Sequence, residues 1–116
     1  MEKFMLVVRE DLQMLKKLTE DERKFCVQEL SSWVRELAAS GNYVEGKPLL
    51  MEGKYVTKDH ILSDGPFIEA KEGVSGYLII NAENLNQAAS IAQSCPYVIS
   101  GEMVIEVRPF MNVDNE

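Results

Sequence analysis

The sequence predicts an α+β fold of the ferredoxin-like kind, a βαββαβ subunit with an extra central β-hairpin. Three observations carry this. Two unbroken apolar runs, Phe4-Met5-Leu6-Val7-Val8 and Gly76-Tyr77-Leu78-Ile79-Ile80, have the continuity of strands buried on both faces. Two segments with helical spacing, each opened by a capping pattern, lie downstream of those runs. The last apolar segment, Glu102 to Arg108, alternates with period two, as a half-exposed strand does.

Taken in order, the first strand is followed by Glu10 to Leu18, a mixture of acids, lysines and leucines that suits a loop with one helical turn. Thr19-Glu20-Asp21-Glu22 is then a capping box: the threonine hydroxyl can accept from the backbone N–H three residues on while Glu22 reaches back. Three acids in that first turn also favour the positive end of the helix dipole. Phe25, Cys26, Leu30, Trp33, Val34, Leu37 and Ala38 fall on one face of the helix, and Gly41 stands where a left-handed cap would end it. Tyr43 to Leu50 reads as a strand confined to an edge by Pro48. Glu52-Gly53-Lys54 reads as a turn, and Tyr55 to Leu62 as the return strand. After the second apolar run, Asn84 with Gln87 marks a further helix start. Its inward residues are Leu85, Ala88, Ala89, Ile91, Ala92 and Cys95, and Pro96 stops it. In the final strand Met103, Ile105 and Val107 share one face, opposite Glu102, Glu106 and Arg108, with Val104 interrupting the polar side.

Composition narrows the function. The 116 residues suit one domain, taken as 1–111 with a polar tail at 112–116. An apolar fraction of 46% is enough for a core. Nineteen acids against twelve basic residues give a net charge of −7, which argues against a nucleic acid or an anionic membrane as partner. There is no signal-peptide pattern and no apolar stretch long enough for a membrane span, so a cytoplasmic location is expected. Cys26 and Cys95 form no C-x-x-C pair and read as buried free thiols. The single histidine, His60, lacks a metal-spaced partner. No metal and no cofactor is expected. No phosphate loop or nucleophile elbow is present either.

Two helices cover one face of a four-stranded sheet, yet both apolar runs are greasy on both faces. Either the middle hairpin or the tail folds over the second face, or a symmetric second copy covers it. The latter predicts a homodimer, a barrel closed between two sheets.

Several motifs together resemble a known family. Gly46-Lys47-Pro48-Leu49, Ser63-Asp64-Gly65-Pro66-Phe67-Ile68-Glu69-Ala70-Lys71-Glu72, Gly76 to Ile80 and Glu106-Val107-Arg108-Pro109 resemble the DGPF-type branch of the YCII-related proteins. The likeness runs in order from the first strand to Pro109. It implies a ferredoxin-like subunit assembled as a dimeric α/β barrel. In the wider YCII group a His–Asp pair in a pocket is a proposed catalytic element. Here the first helix holds no histidine, and His60 stands in the hairpin before the motif.

As local chemistry, Asp64 can bond the backbone two residues on, Gly65 permits φ > 0, Pro66 fixes φ, and Phe67 can pin the turn to the core. In an extended segment Glu69 and Lys71 point the same way. Toward water they form a weak ion pair; toward a pocket, with Glu72 beside them, they could hold a polar ligand and move a proton. Arg108 is a possible anion partner near the end of the last strand. The candidate ligand-binding set is thus Asp64, Phe67, Glu69, Lys71, Glu72 and Arg108, with Asp64, Glu69 and His60 as candidate catalytic groups. Two functions remain open. One is a self-associating module with a small-molecule pocket for a small polar ligand and no established reaction. The other is a lyase or isomerase that moves a proton on a polar metabolite.

Overall fold

The computed structural model describes residues 1–63 and 73–111. Its elements are β1 (Glu2–Glu10), α1 (Leu12–Lys16), α2 (Glu20–Ala39), β2 (Tyr43–Pro48), β3 (Lys54–Val56), β4 (Ile61–Ser63), β5 (Gly73–Ala82), α3 (Leu85–Gln93), α4 (Pro96–Ile99) and β6 (Met103–Pro109). The main sheet has the order β2-β5-β1-β6, and every pairing in it is antiparallel. This is the ferredoxin-like arrangement, with β3 and β4 inserted as a separate two-stranded sheet. No helix among the described residues is long and apolar enough to cross a membrane.

The helix boundaries form as the local chemistry dictates. Asp11 Oδ1 accepts from the backbone N–H groups of Gln13 and Met14 at 3.0 and 3.2 Å, which caps α1 in the stretch expected to be a loop with a helical turn. The capping box of α2 is complete: Glu22 N–H donates to Thr19 Oγ1 at 3.1 Å, and Thr19 N–H donates to Glu22 Oε1 at 2.9 Å. At the other end Gly41 has φ +82°. Its N–H donates to Ala38 O at 3.1 Å and that of Asn42 to Leu37 O at 2.9 Å, the paired bonds of a Schellman ending. Asn84 Oδ1 accepts from Gln87 N–H at 2.8 Å to start α3.

One core lies between the helices and a single face of the sheet. Phe4, Leu6 and Val8 of β1, Ile80 and Ala82 of β5 and Met103 of β6 meet Trp33 and Leu37 of α2 and Ala88 and Ala92 of α3. Trp33 Nε1–H donates to Ser94 Oγ at 2.9 Å, tying α2 to the end of α3. The Tyr97 hydroxyl donates to Glu29 Oε1 at 2.7 Å and ties α4 to α2. The sulfurs of Cys95 and Met103 approach to 3.9 Å inside this core.

Four expectations need correction. Tyr55 to Leu62 is not one return strand. The chain reverses at Thr57–His60, where Thr57 N–H donates to His60 O at 2.8 Å and His60 N–H donates to Thr57 Oγ1 at 3.1 Å. Lys54 pairs with Ser63 and Val56 with Ile61, so Lys54 begins a strand rather than closing a turn. Within α2, Phe25 is 59% exposed and Ala38 also faces solvent. A helix of 20 residues is about 30 Å long, and its buried residues, Trp33 and Leu37, lie in its second half. In α3, Leu85 and Ala89 are exposed, because Ala88, Ile91 and Ala92 fill the contact with the sheet. Finally, Cys26 is only partly buried, and Cys95, fully buried, is the residue before Pro96 of α4 rather than part of α3.

Candidate functional site: the open face of the sheet

Side chains alternate across a strand, so the residues between the core positions of β1 and β5 point away from the helices. These are Met5 and Val7 of β1 and Tyr77 and Ile79 of β5, all half-buried. Direct cross-strand partners share a face. The register therefore builds two rows across all four strands. One runs Glu45, Ile79, Met5, Arg108, and the next runs Lys47, Tyr77, Val7, Glu106. Arg9 pairs with Val104 one step further along. The result is an apolar centre on the two inner strands with charged residues toward both edges.

The β6 edge of this face is organised by ion pairs. Arg9 Nη2 donates to Glu106 Oε1 at 3.3 Å, and Arg108 Nη1 donates to Glu106 Oε2 at 3.2 Å. The hydrogen bond from Arg108, then that from Arg9, holds the Glu106 carboxyl below the usual carboxylate range. Glu106 therefore stays ionised at neutral pH and serves as a clamp for two guanidiniums rather than as a proton carrier.

Another carboxylate behaves in the opposite way. Glu10, at the end of β1, accepts a hydrogen bond from the Ser75 hydroxyl. Burial raises its pKa, the Ser75 bond opposes that rise, and the charge of Glu102 adds to it. Glu10 pairs with Met103 on β6 and Gly73 on β5, and buried Met103 places it on the helix side of the sheet.

Of the residues expected from sequence to form a site, Arg108 lies on the open face, paired with Glu106 itself. His60 lies in the exposed turn between β3 and β4, on the other sheet, and no hydrogen bond or ion pair joins it to Arg108. Asp64, Phe67, Glu69, Lys71 and Glu72 lie outside the described residues. Sequence reasoning missed Arg9 and Glu10. Both sit at the end of the first apolar run, where a charge reads simply as the end of a strand. The sequence places Glu106 on the polar side of its strand and in the Glu106-Val107-Arg108-Pro109 motif, but not in the candidate site. A shallow cleft of about 330 Å³ between α3, α4 and β6 is lined by Ala89, Ala92, Val98, Ile105 and Val107 and contains none of these groups. Among the described residues no three His, Cys, Asp or Glu side chains converge as metal ligands.

Comparison with known proteins agrees with this architecture. No curated protein matches the sequence. A solved structure of similar fold is 5-chloro-2-hydroxyhydroquinone dehydrochlorinase from Burkholderia phenoliruptrix AC1100, in complex with 2,5-dihydroxybenzoquinone. It is 15% identical, with a TM-score of 0.62 and 98% of each chain covered. At that identity the likeness is one of fold. The model of the YCII-related domain matches residues 3–111, nearly the whole chain, and the protein belongs to the YCII-related family.

Proposed function

We propose that the protein is a homodimer in which the open sheet faces of two copies meet around a pocket for a small polar ligand, and that it belongs to the DGPF-type branch of its family. The observation that carries this reading is the row of half-buried apolar side chains, Met5, Val7, Tyr77 and Ile79, on the side of the sheet opposite the helix layer. Apolar surface of this kind on the two inner strands favours a second apolar face, and a two-fold axis supplies one from the same sequence. Glu45 and Lys47 on β2 would then lie in the polar rim of the interface, and the Arg9–Glu106–Arg108 cluster would border the pocket. The net charge of −7 suits a cytoplasmic protein that avoids nucleic acids and anionic membranes. The dehydrochlorinase of similar fold holds a small hydroxylated quinone in its structure. Light scattering tests the reading. The native protein should have the mass of two chains, and Ile79→Lys, which places a charge at the centre of the face, should have the mass of one while melting cooperatively. A native protein with the mass of one chain at all concentrations would rule it out.

A second reading, a proton-transfer enzyme of lyase or isomerase type, is favoured by Glu10. Burial raises the pKa of this carboxyl, which accepts a hydrogen bond from a serine hydroxyl. It pairs with Gly73, the residue immediately after the Glu69-Ala70-Lys71-Glu72 string. A carboxyl whose pKa is raised by its surroundings holds a proton more readily, as a general acid does. Incorporation of solvent deuterium into candidate metabolites, followed by mass spectrometry, separates the readings. Exchange abolished by Glu10→Gln supports the enzyme, and exchange unaffected by it removes Glu10 from the reaction.

A further inference from the structure

The inference that follows rests on the open face being an interface between copies, and it concerns a charge left over there. Arg9 and Arg108 share one carboxylate, so the cluster carries two positive charges and one negative. Among the described residues, the ion pairs of both arginines are with Glu106. A guanidinium has five N–H donors in a planar fork, and the bonds above use one from each. A second sheet pressed over this face would strip water from the remaining donors and from one unit of net positive charge. Buried charge is tolerated only when paired and hydrogen-bonded.

We propose that a small organic acid completes the cluster, its carboxylate bound by the N–H groups of Arg9 and Arg108 that Glu106 does not engage and its apolar body resting on Met5, Val7, Tyr77 and Ile79. The residues are arranged for this. Glu106 stands between the two arginines in the register, opposite Val7, with Arg108 opposite Met5 on one side and Arg9 opposite Val104 on the other. By engaging one guanidinium with each oxygen it fixes both side chains over the same part of the sheet. Arginine forks match the planar, two-oxygen geometry of a carboxylate better than a point charge would. The apolar row begins on the next strand positions, so a ligand with an acid head and an aromatic or aliphatic body spans both regions. In a chain of net charge −7 this is a local positive spot, which favours a small anion over an acidic macromolecule that the rest of the surface would repel.

The test is titration calorimetry with benzoate, with benzamide as its uncharged counterpart and acetate as the acid without an apolar body. Sedimentation velocity is run on the same samples. Benzoate is expected to bind more tightly than acetate, and benzamide to give no measurable heat. Arg9→Gln and Arg108→Gln should each weaken benzoate tenfold or more, and Arg9→Lys and Arg108→Lys should recover part of that loss. Circular dichroism confirms that the variants fold. A dimer that shows no preference for benzoate over benzamide, or whose glutamine variants bind as the native protein does, overturns the anion site and leaves the interface standing. A monomer that keeps arginine-dependent benzoate binding retains the anion site and removes the interface. A monomer without such binding removes both.

Discussion

Gly46 offers a sharp test of how the sheet is built. It lies on the edge strand β2 opposite Leu78 of β5, next to the irregularity between Tyr43 and Glu45. A Cβ placed on Gly46 would sit 2.7 Å from the carbonyl oxygen of Tyr77, 3.0 Å from Leu78 Cγ and 3.1 Å from Leu78 Cα. Two of these three contacts are with backbone, which cannot swing aside as the tip of a side chain can. In Gly46→Ala the strand must therefore move away from β5 by a few tenths of an ångström, at the expense of the hydrogen bonds between them. Overpacking of this kind costs about 1–3 kcal/mol. For a chain of this size that is a drop of roughly 4–12 °C in melting temperature. Gly53 supplies the control, since a Cβ there meets nothing within 4 Å. Gly53→Ala should be neutral or stabilising by up to about 1 kcal/mol, through the lower entropy of its unfolded chain. Thermal and urea denaturation of the two variants measure the contrast. The same melting temperature for both would refute the close approach of β2 to β5, and with it the placement of Lys47 opposite Tyr77 on the open face.

Two further outcomes follow from the same geometry. Thr19→Ala removes the hydroxyl that accepts from Glu22 N–H at the start of α2 and should cost about 1 kcal/mol in urea unfolding, with an unchanged denaturant slope; no loss would mean that this cap does not hold the helix end. Glu10, with its pKa raised, binds its proton more tightly folded than unfolded. Its contribution to stability is therefore full below the unfolded carboxyl value near about pH 4.3 and is lost as the pH rises through the folded value. Relative to the native protein, Glu10→Gln should gain stability as the pH is raised through that interval, and a difference that does not vary with pH would show that Glu10 titrates as a solvent-exposed acid.

The parts of the fold legible in the sequence are those fixed by neighbours in the chain. Thr19 and Glu22, Gly41, and Asn84 with Gln87 mark helix ends through bonds spanning three to five residues, and the structure contains each of them. The alternation of Met103, Ile105 and Val107 with Glu106 and Arg108 likewise separates the two faces of β6. What was hidden depends on distant partners. Periodicity assigns Phe25 to the inner face of α2 but cannot tell where the sheet beneath the helix stops. Gly53 is the obvious turn residue of the middle region, yet the reversal uses the Thr57 side chain and needs no glycine. Arg9 finds Glu106 across 97 positions of sequence, a pairing set by strand order alone. Of the candidate site, the position of Arg108 near the end of a strand beside an acid was legible, and the structure pairs it with Glu106 of its own strand. The Asp64-Gly65-Pro66-Phe67 string lies outside the described residues.

The central claim is that two copies meet through the sheet face that the helices leave open. Isotope-filtered nuclear magnetic resonance on a mixture of labelled and unlabelled chains addresses it directly. Inter-subunit Overhauser effects are expected from the methyl groups of Met5, Val7 and Ile79 to protons of the partner. Such effects arising only from the helices, or a tumbling time of a single chain with none at all, would contradict it.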